Sequence, residues 1–149
     1  MNLTVFWNFA SEAERAYDYH RKKIMAKFSL SAIEVDVLLF LANNPDMNTA
    51  ADIVKLRKIA KSHVSLAVKS LTEKKLITQQ SDEKKHRVIL LTPTPKAYEI
   101  ILFGQAEQKK FAEALSRGAN YTDREAFNRR LIEITENLRK EYETKQPKD

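Results

Sequence analysis

Apolar and polar positions follow two different periods along this chain, and the switches between them set the order of elements. From about Leu3 to Lys27, with Phe28 just beyond, Phe6, Phe9, Ala13, Ala16, Tyr17, His20 and Ile24 recur at three- and four-residue steps. That spacing predicts one long amphipathic helix with a wide, aromatic apolar side. A second helix opens at Ser31, where Ser31 and Glu34 have the spacing of a capping box and Leu30 and Val35 that of a hydrophobic staple. It runs through Leu41 and stops near Asn43-Asn44-Pro45, since proline disfavours helix in the residue before it. Val37, Leu38, Leu39 and Leu41 mark it as nearly all buried. A short third helix runs from about Thr49, its cap, to Arg57, with Ile53 and Leu56 expected to point inward. After a turn through Lys58-Ile59-Ala60 a fourth helix continues to near Lys75. Its inner side carries Val64, Ala67, Val68 and Leu71, and its outer side Ser62, Ser65, Leu66, Lys69 and Glu73. Ala60 has no side-chain oxygen to cap it, so its first turn is either loose or begins at Ser62.

The period then shortens to two. Ile77 to Ser81 and Arg87 to Thr92 are short β-branched or apolar runs around a charged middle, Asp82-Glu83-Lys84-Lys85-His86, which predicts a β-hairpin with a basic tip. Thr94 is placed to cap a fifth helix with Pro95 at its first position, where a missing amide costs nothing. Arg117-Gly118 ends that helix. A sixth opens with Thr122 and Glu125 as a second capping box, and Phe127, Leu131, Ile134, Leu138 and Tyr142 form a near-heptad seam. The tail from Thr144 is expected to fray. The predicted fold is mainly α with one small β-hairpin (α+β), in the order helix, helix, helix-turn-helix, hairpin, helix, helix.

Composition narrows the function classes. A chain of 149 residues without cysteine suits one compact subunit and excludes disulfides, thiolate metal sites and cysteine redox sensing. Val5 to Ala10 is a short, interrupted apolar run followed at once by Glu12 and Glu14, unlike a secretory signal. The most apolar stretch, Val37 to Ala42, is too short to cross a bilayer. The expected location is the cytoplasm, with no membrane partner. No Gly-rich phosphate loop, His-Glu-x-x-His or nucleophile motif occurs, so an enzyme is not expected. The three histidines show no ligand spacing, so neither a metal nor a cofactor is implied.

Charge placement points to a partner. The net charge is +6. Between Lys55 and Arg87 there are ten basic and three acidic residues, +7, and the rest of the chain carries −1. So local an excess is the footprint of a polyanion, although a solvated lysine face would give the same count. The order of elements from Ser31 to Thr92 is the winged helix-turn-helix arrangement. An exposed second helix of this kind fits a major groove about 12 Å wide, and a basic hairpin tip suits backbone or minor groove.

The residues from Asp52 to Ile77 resemble the reading head of the MarR family of winged helix-turn-helix transcriptional regulators. That family carries a Ser-x-Val-(Thr/Ser) core, a later leucine, and Glu-Lys-Gly-Leu-(Val/Ile). Ser62, Val64, Ser65, Leu71, Glu73, Lys74, Leu76 and Ile77 match it. Asp82 to Thr94 matches its wing in length, and Thr94 and Lys96 fall in its Leu-Thr-x-Lys-Gly helix entry. The motif similarity spans roughly Ser31 to Ala97. Lys75 stands in place of the family glycine, Lys85-His86-Arg87 in place of Asp-Arg-Arg, Pro93 in place of leucine. Leu66 replaces an arginine often found after the Val-Ser pair, which removes a guanine contact and leaves a group suited to a thymine methyl.

The resemblance implies a sequence-specific double-stranded DNA-binding regulator, more often a repressor, acting as a homodimer on a pseudo-palindromic operator. Residues 31–94 would form the DNA-binding region, 1–30 and 95–145 the helical dimerisation region, and 146–149 a frayed tail. Lys61, Ser62, His63, Ser65, Leu66 and Lys69 would face bases or flanking phosphates. Thr49 and Lys58 would lie near the backbone, with Lys84, Lys85, His86 and Arg87 in the wing. Phe6, Phe9, Leu131, Ile134 and Leu138 would meet the second subunit, unless they pack within one. Regulators of this type often bind a small aromatic or amphipathic effector, for which Trp7, Tyr17 and His20 are candidate lining residues, or else part of the dimer core. The rival class is a winged-helix protein-interaction module without sequence-specific DNA binding.

Overall fold

A computed structural model of the chain describes residues 2–85 and 87–143. The wing residue His86 and the expected tail from 144 lie outside the described residues. The chain divides into two compact units, Met1–Phe111 and Ala112–Asp149.

The first unit is built around a helix buried on every side. Helix α1 spans Leu3–Phe28, α2 Ala32–Asn43, α3 Ala50–Arg57 and α4 Lys61–Glu73; strands β1 (Ile77–Ser81) and β2 (Ile89–Pro93) precede a short 3₁₀ turn, Pro95–Ala97, and α5, Tyr98–Leu115. In α2 every residue from Glu34 to Leu41 is buried, which explains a helix with no polar stripe. Ile24 of α1, Ile53 of α3, Val64 and Leu71 of α4, Ile77 and Leu91 of the strands and Ile100 of α5 complete the same core. Each such side chain contributes about 1.5–3 kcal/mol by leaving water. Gly104 lets α5 close on α2: a Cβ there would meet Leu39 Cδ2 at 2.6 Å.

Local chemistry sets the helix starts. The Ser31 hydroxyl accepts from the Glu34 amide at 3.2 Å, and the Ser31 amide donates to Glu34 Oε2 at 2.7 Å. Thr49 forms a matching box with Asp52 at the start of α3. Ala60 precedes α4 without a side-chain cap, and the helix begins at Lys61. Leu56 departs from expectation: it is exposed, because α3 is too short to bury more than the Ile53 side.

The hairpin is antiparallel, with Ile77 opposite Pro93 and Ser81 opposite Ile89. Its second strand begins at Ile89 rather than Arg87. The Asp82 carboxylate accepts from the Lys84 amide at 2.8 Å, and the Asp82 amide donates to the Val88 carbonyl at 2.9 Å, so the tip turn takes in the residues up to Val88. Thr94 does not cap the next helix with its side chain. Its hydroxyl donates instead to the Lys75 carbonyl at 2.7 Å.

In the second unit, Gly118 takes a left-handed conformation (φ 81°) after α5, and α6 spans Tyr121–Glu143. The expected Thr122–Glu125 box does not form. Asn120 caps α6, its Oδ1 accepting from the Asp123 amide at 2.9 Å, which moves the helix start ahead of Thr122. Phe127, Leu131, Ile132, Leu138 and Tyr142 on α6 are exposed, and Ile134 is partly buried. No helix among the described residues is long and apolar enough to cross a membrane.

Candidate nucleic-acid interface

Helix α4 presents two opposite stripes. Val64, Ala67, Val68 and Leu71 are buried. Lys61, Ser62, His63, Ser65, Leu66 and Lys69 are all exposed, as a helical repeat of 3.6 residues requires once the inner stripe is fixed. The outer stripe has short hydroxyls at Ser62 and Ser65, a cation at Lys69, and one large apolar group, Leu66. Glu73 stands 4.0 Å from Lys69 one turn on. Lys84, Lys85 and Arg87 are exposed at the tip of the wing. These residues are short or cationic and stand free of the core, which suits approach to base edges and phosphates.

Two further expected residues have local duties. Lys58 ends α3 in a left-handed conformation (φ 54°) and is exposed in the turn before α4. Thr49 is partly buried, and its hydroxyl donates to Asp52 Oδ2 at 2.6 Å while accepting from the Asp52 amide. A phosphate at this place would compete with Asp52 for that hydroxyl.

Two cations of the basic segment are paired with buried acids. Lys74 Nζ lies 2.7 Å from Glu34 Oε1, where the Ser70 hydroxyl also donates. Burial pushes the Glu34 carboxyl up, but the hydrogen bonds from Lys74, Ser70 and the Ser31 amide, with the charge of Lys74, hold it below its ordinary value. Arg57 turns back to Asp36, Nη2 to Oδ1 at 3.2 Å. Arg21 holds the other oxygen at 2.7 Å and also reaches Asp18 at 2.8 Å. The Tyr17 ring lies 5.9 Å from each of the two guanidiniums. Counting charge along the sequence missed both pairings. A signal was present: Glu34 and Asp36 are acids inside an otherwise apolar helix, and a buried charge requires a partner.

The helix and the wing are joined at their base. Lys75, in the place of the family glycine, still adopts the left-handed conformation (φ 59°). Lys96 Nζ donates to the Lys74 carbonyl at 2.9 Å, beside the bond from Thr94 to the Lys75 carbonyl. Orphan carbonyls at the end of α4 are thus satisfied by a hydroxyl and an ammonium, the latter favoured by the helix dipole. This gives physical work to the Thr-x-Lys motif.

The three candidate effector residues do not converge. Tyr17 packs edge-on against Phe111, centroids 5.5 Å apart, and His20 lies 6.4 Å from the same ring. His20 Nδ1 is 2.7 Å from Glu107 Oε2. Burial pushes the Glu107 carboxyl up, but hydrogen bonds from His20, Lys110 and Lys23 and the charge of Lys110 bring it down to about 2. It is therefore ionised, and the imidazole donates. Trp7, further up α1, packs edge-on against Phe6 and is exposed. Among the described residues no group of three or more His, Asp or Glu side chains could hold a metal.

A helix-turn-helix followed by a two-stranded wing, with a polar and cationic outer stripe, defines a winged-helix protein. Residues 28–87 match the model of the MarR family. The solved structures most like this one include a MarR-family regulator from Listeria monocytogenes complexed with a 26mer DNA, 18% identical, with 97% of this chain and 96% of that chain covered and a TM-score of 0.80. A MarR-family regulator from Silicibacter pomeroyi is 17% identical over 87% of each chain, TM-score 0.76. BpsR of Bordetella bronchiseptica, whose DNA binding is regulated by 6-hydroxynicotinic acid, is 23% identical, with 86% of this chain and 98% of that chain covered, TM-score 0.59. These likenesses establish the fold. No curated protein matches the chain. Residues 28–87 are thus similar to the MarR family, and the chain has the winged-helix fold of the regulators it resembles.

Proposed function

We propose that the protein is a homodimeric, sequence-specific regulator of transcription that reads a pseudo-palindromic operator in double-stranded DNA. The observation that carries this reading is the outer stripe of α4, where Ser62, Ser65, Leu66 and Lys69 stand exposed opposite the core. The exposed wing cations Lys84, Lys85 and Arg87 add to it. Lys61 and His63 flank the base contacts, Lys58 lies near the backbone, and Thr49 serves mainly as a cap. Residues 31–94 are the DNA-binding region.

Dimerisation is supported by apolar surface on the terminal helices. Phe6, Trp7 and Phe9 are exposed on α1, and Phe127, Leu131 and Leu138 on α6. Aromatic groups left in water on this scale mark an interaction surface. Residues 1–30 and 95–145 are assigned to it, with Ile134 on the same seam. Two-fold symmetry then sets half-sites about 34 Å apart. A dimer seated on two successive major grooves blocks a promoter, so repression in the cytoplasm is the mode proposed. A small aromatic effector would act by favouring one spacing of the two heads. The regulation of BpsR by 6-hydroxynicotinic acid supports an effector of that class, and Tyr17 and His20, both packed edge-on near Phe111, are its candidate contacts.

Footprinting on the DNA upstream of the coding gene, with and without a panel of aromatic acids, tests operator and effector together. Light scattering tests the dimer against the 17.2 kDa of one chain. Binding to random duplex should weaken steeply with salt. A flat salt response would favour the protein-interaction reading instead.

A further inference from the structure

Leu66 is the exception on the outer face of α4. It is 66% exposed, yet it is a leucine between Ser62, Ser65 and Lys69. It stands two residues after the buried Val64, about 160–200° around the helix from the core at 100° per residue. Repacking toward the core would therefore require α4 to turn over. The helix does not need leucine there for its own stability, since the inner stripe is complete without it. An exposed leucine on a helix that enters a major groove has one apolar counterpart on the base edges, the C5-methyl of thymine; every other group there is a hydrogen-bond donor or acceptor. Ser65 beside it and Ser62 one turn before are short, so they leave Leu66 as the most protruding apolar group of this stripe. Lys69, one turn later, has the reach to hold a phosphate and fix the register.

We propose that Leu66 is a specificity-determining residue that reads a thymine methyl in each half-site. This rests on the DNA-binding reading above. A guanine, cytosine or adenine at that position would set a polar edge against the leucine and leave its own hydrogen-bonding group unsatisfied, so discrimination comes from desolvation as well as from the missing methyl contact.

The test uses the full-length protein and a randomised duplex library. The enriched site is resynthesised with each thymine replaced in turn by deoxyuridine, which removes only the methyl. Anisotropy titrations at fixed salt are then run on the wild type, Leu66→Ala and Leu66→Arg. The wild type should lose about three- to fivefold in affinity at one thymine per half-site, the size of one buried methyl. Leu66→Ala should show no loss at that position, and Leu66→Arg should enrich guanine there. Unchanged melting temperatures establish that the surface variants fold. A site whose affinity is indifferent to every thymine methyl, or a deoxyuridine penalty that survives in Leu66→Ala, overturns the assignment of Leu66 while leaving DNA binding intact. If no duplex is enriched and bulk DNA is bound without salt dependence, the parent reading falls and Leu66 with it.

Discussion

The guanidinium of Arg57 meets the carboxylate of Asp36, Nη2 to Oδ1 at 3.2 Å, so the last residue of α3 is fastened to the middle of α2. Asp36 is buried and also holds Arg21 from α1. One carboxylate thereby joins three helices. Its replacement by alanine leaves Arg57 without its acceptor and Arg21 with Asp18 alone, and breaking a buried ion pair in this way costs up to about 3–5 kcal/mol. We expect Asp36→Ala to lower the urea midpoint accordingly. A midpoint within experimental error of the wild type would show that Arg21 and Arg57 find other partners.

Arg57 and Arg87 belong to the same basic segment but differ in what they do with their charge. Arg87→Ala should weaken binding to random duplex and reduce the slope of log affinity against log salt by about 0.9, one phosphate contact. Arg57→Ala should reduce stability and leave that slope unchanged, since its guanidinium is engaged by Asp36. Equal changes in slope for the two variants would contradict this division.

Glu107 sets a pH window. Its carboxyl falls from an ordinary 4.5 to about 2 in the folded protein. A carboxyl depressed on folding stabilises above its unfolded value, and that stabilisation is lost as pH falls from about 4.5 toward 2. Urea titrations across this range should show the wild type losing stability faster than Glu107→Gln, with the two converging in acid. Parallel curves would mean that His20, Lys23 and Lys110 do not depend on the charge of Glu107.

Lys75 sits at φ 59°, a conformation in which a side chain is strained and glycine is not. Lys75→Gly should stabilise the protein by about 0.5–1 kcal/mol, reading as a rise of about 1–4 °C in melting temperature. A fall would show that the lysine side chain contributes more than its backbone strain costs.

Periodicity and capping chemistry were enough to place the six helices and the hairpin. The Ser31–Glu34 box, the absent cap at Ala60 and the two stripes of α4 all follow from nearest-neighbour rules along the chain, and so were visible before the fold. The departures arose where several local solutions compete. Asn120 replaces Thr122 as the cap because its side chain takes the Asp123 amide, which starts the helix at Tyr121 and leaves the Glu125 amide inside it. Val88 is β-branched and continues the strand pattern, but the Asp82 amide donates to the Val88 carbonyl and holds it in the turn. Leu56 has helical spacing from Ile53, yet only the packing of α3 decides whether that side is covered. The pairings of Arg57 with Asp36 and Lys74 with Glu34 lie between residues far apart in sequence, where no local rule reaches. They also change the site, since they partly neutralise two exposed cations that a linear charge count assigns to DNA.

The bonds from Thr94 and Lys96 to the carbonyls of Lys75 and Lys74 have a kinetic meaning. The end of α4 and the return of the hairpin cannot separate without breaking both, together with the Thr94 amide bond to the Leu76 carbonyl. Helix and wing should therefore open as one cooperative unit. In hydrogen exchange, the amides of Lys74, Leu76 and Thr94 should share a single protection free energy, higher than that of the tip, where the Lys84 and Lys85 amides are held only by the Asp82 side chain.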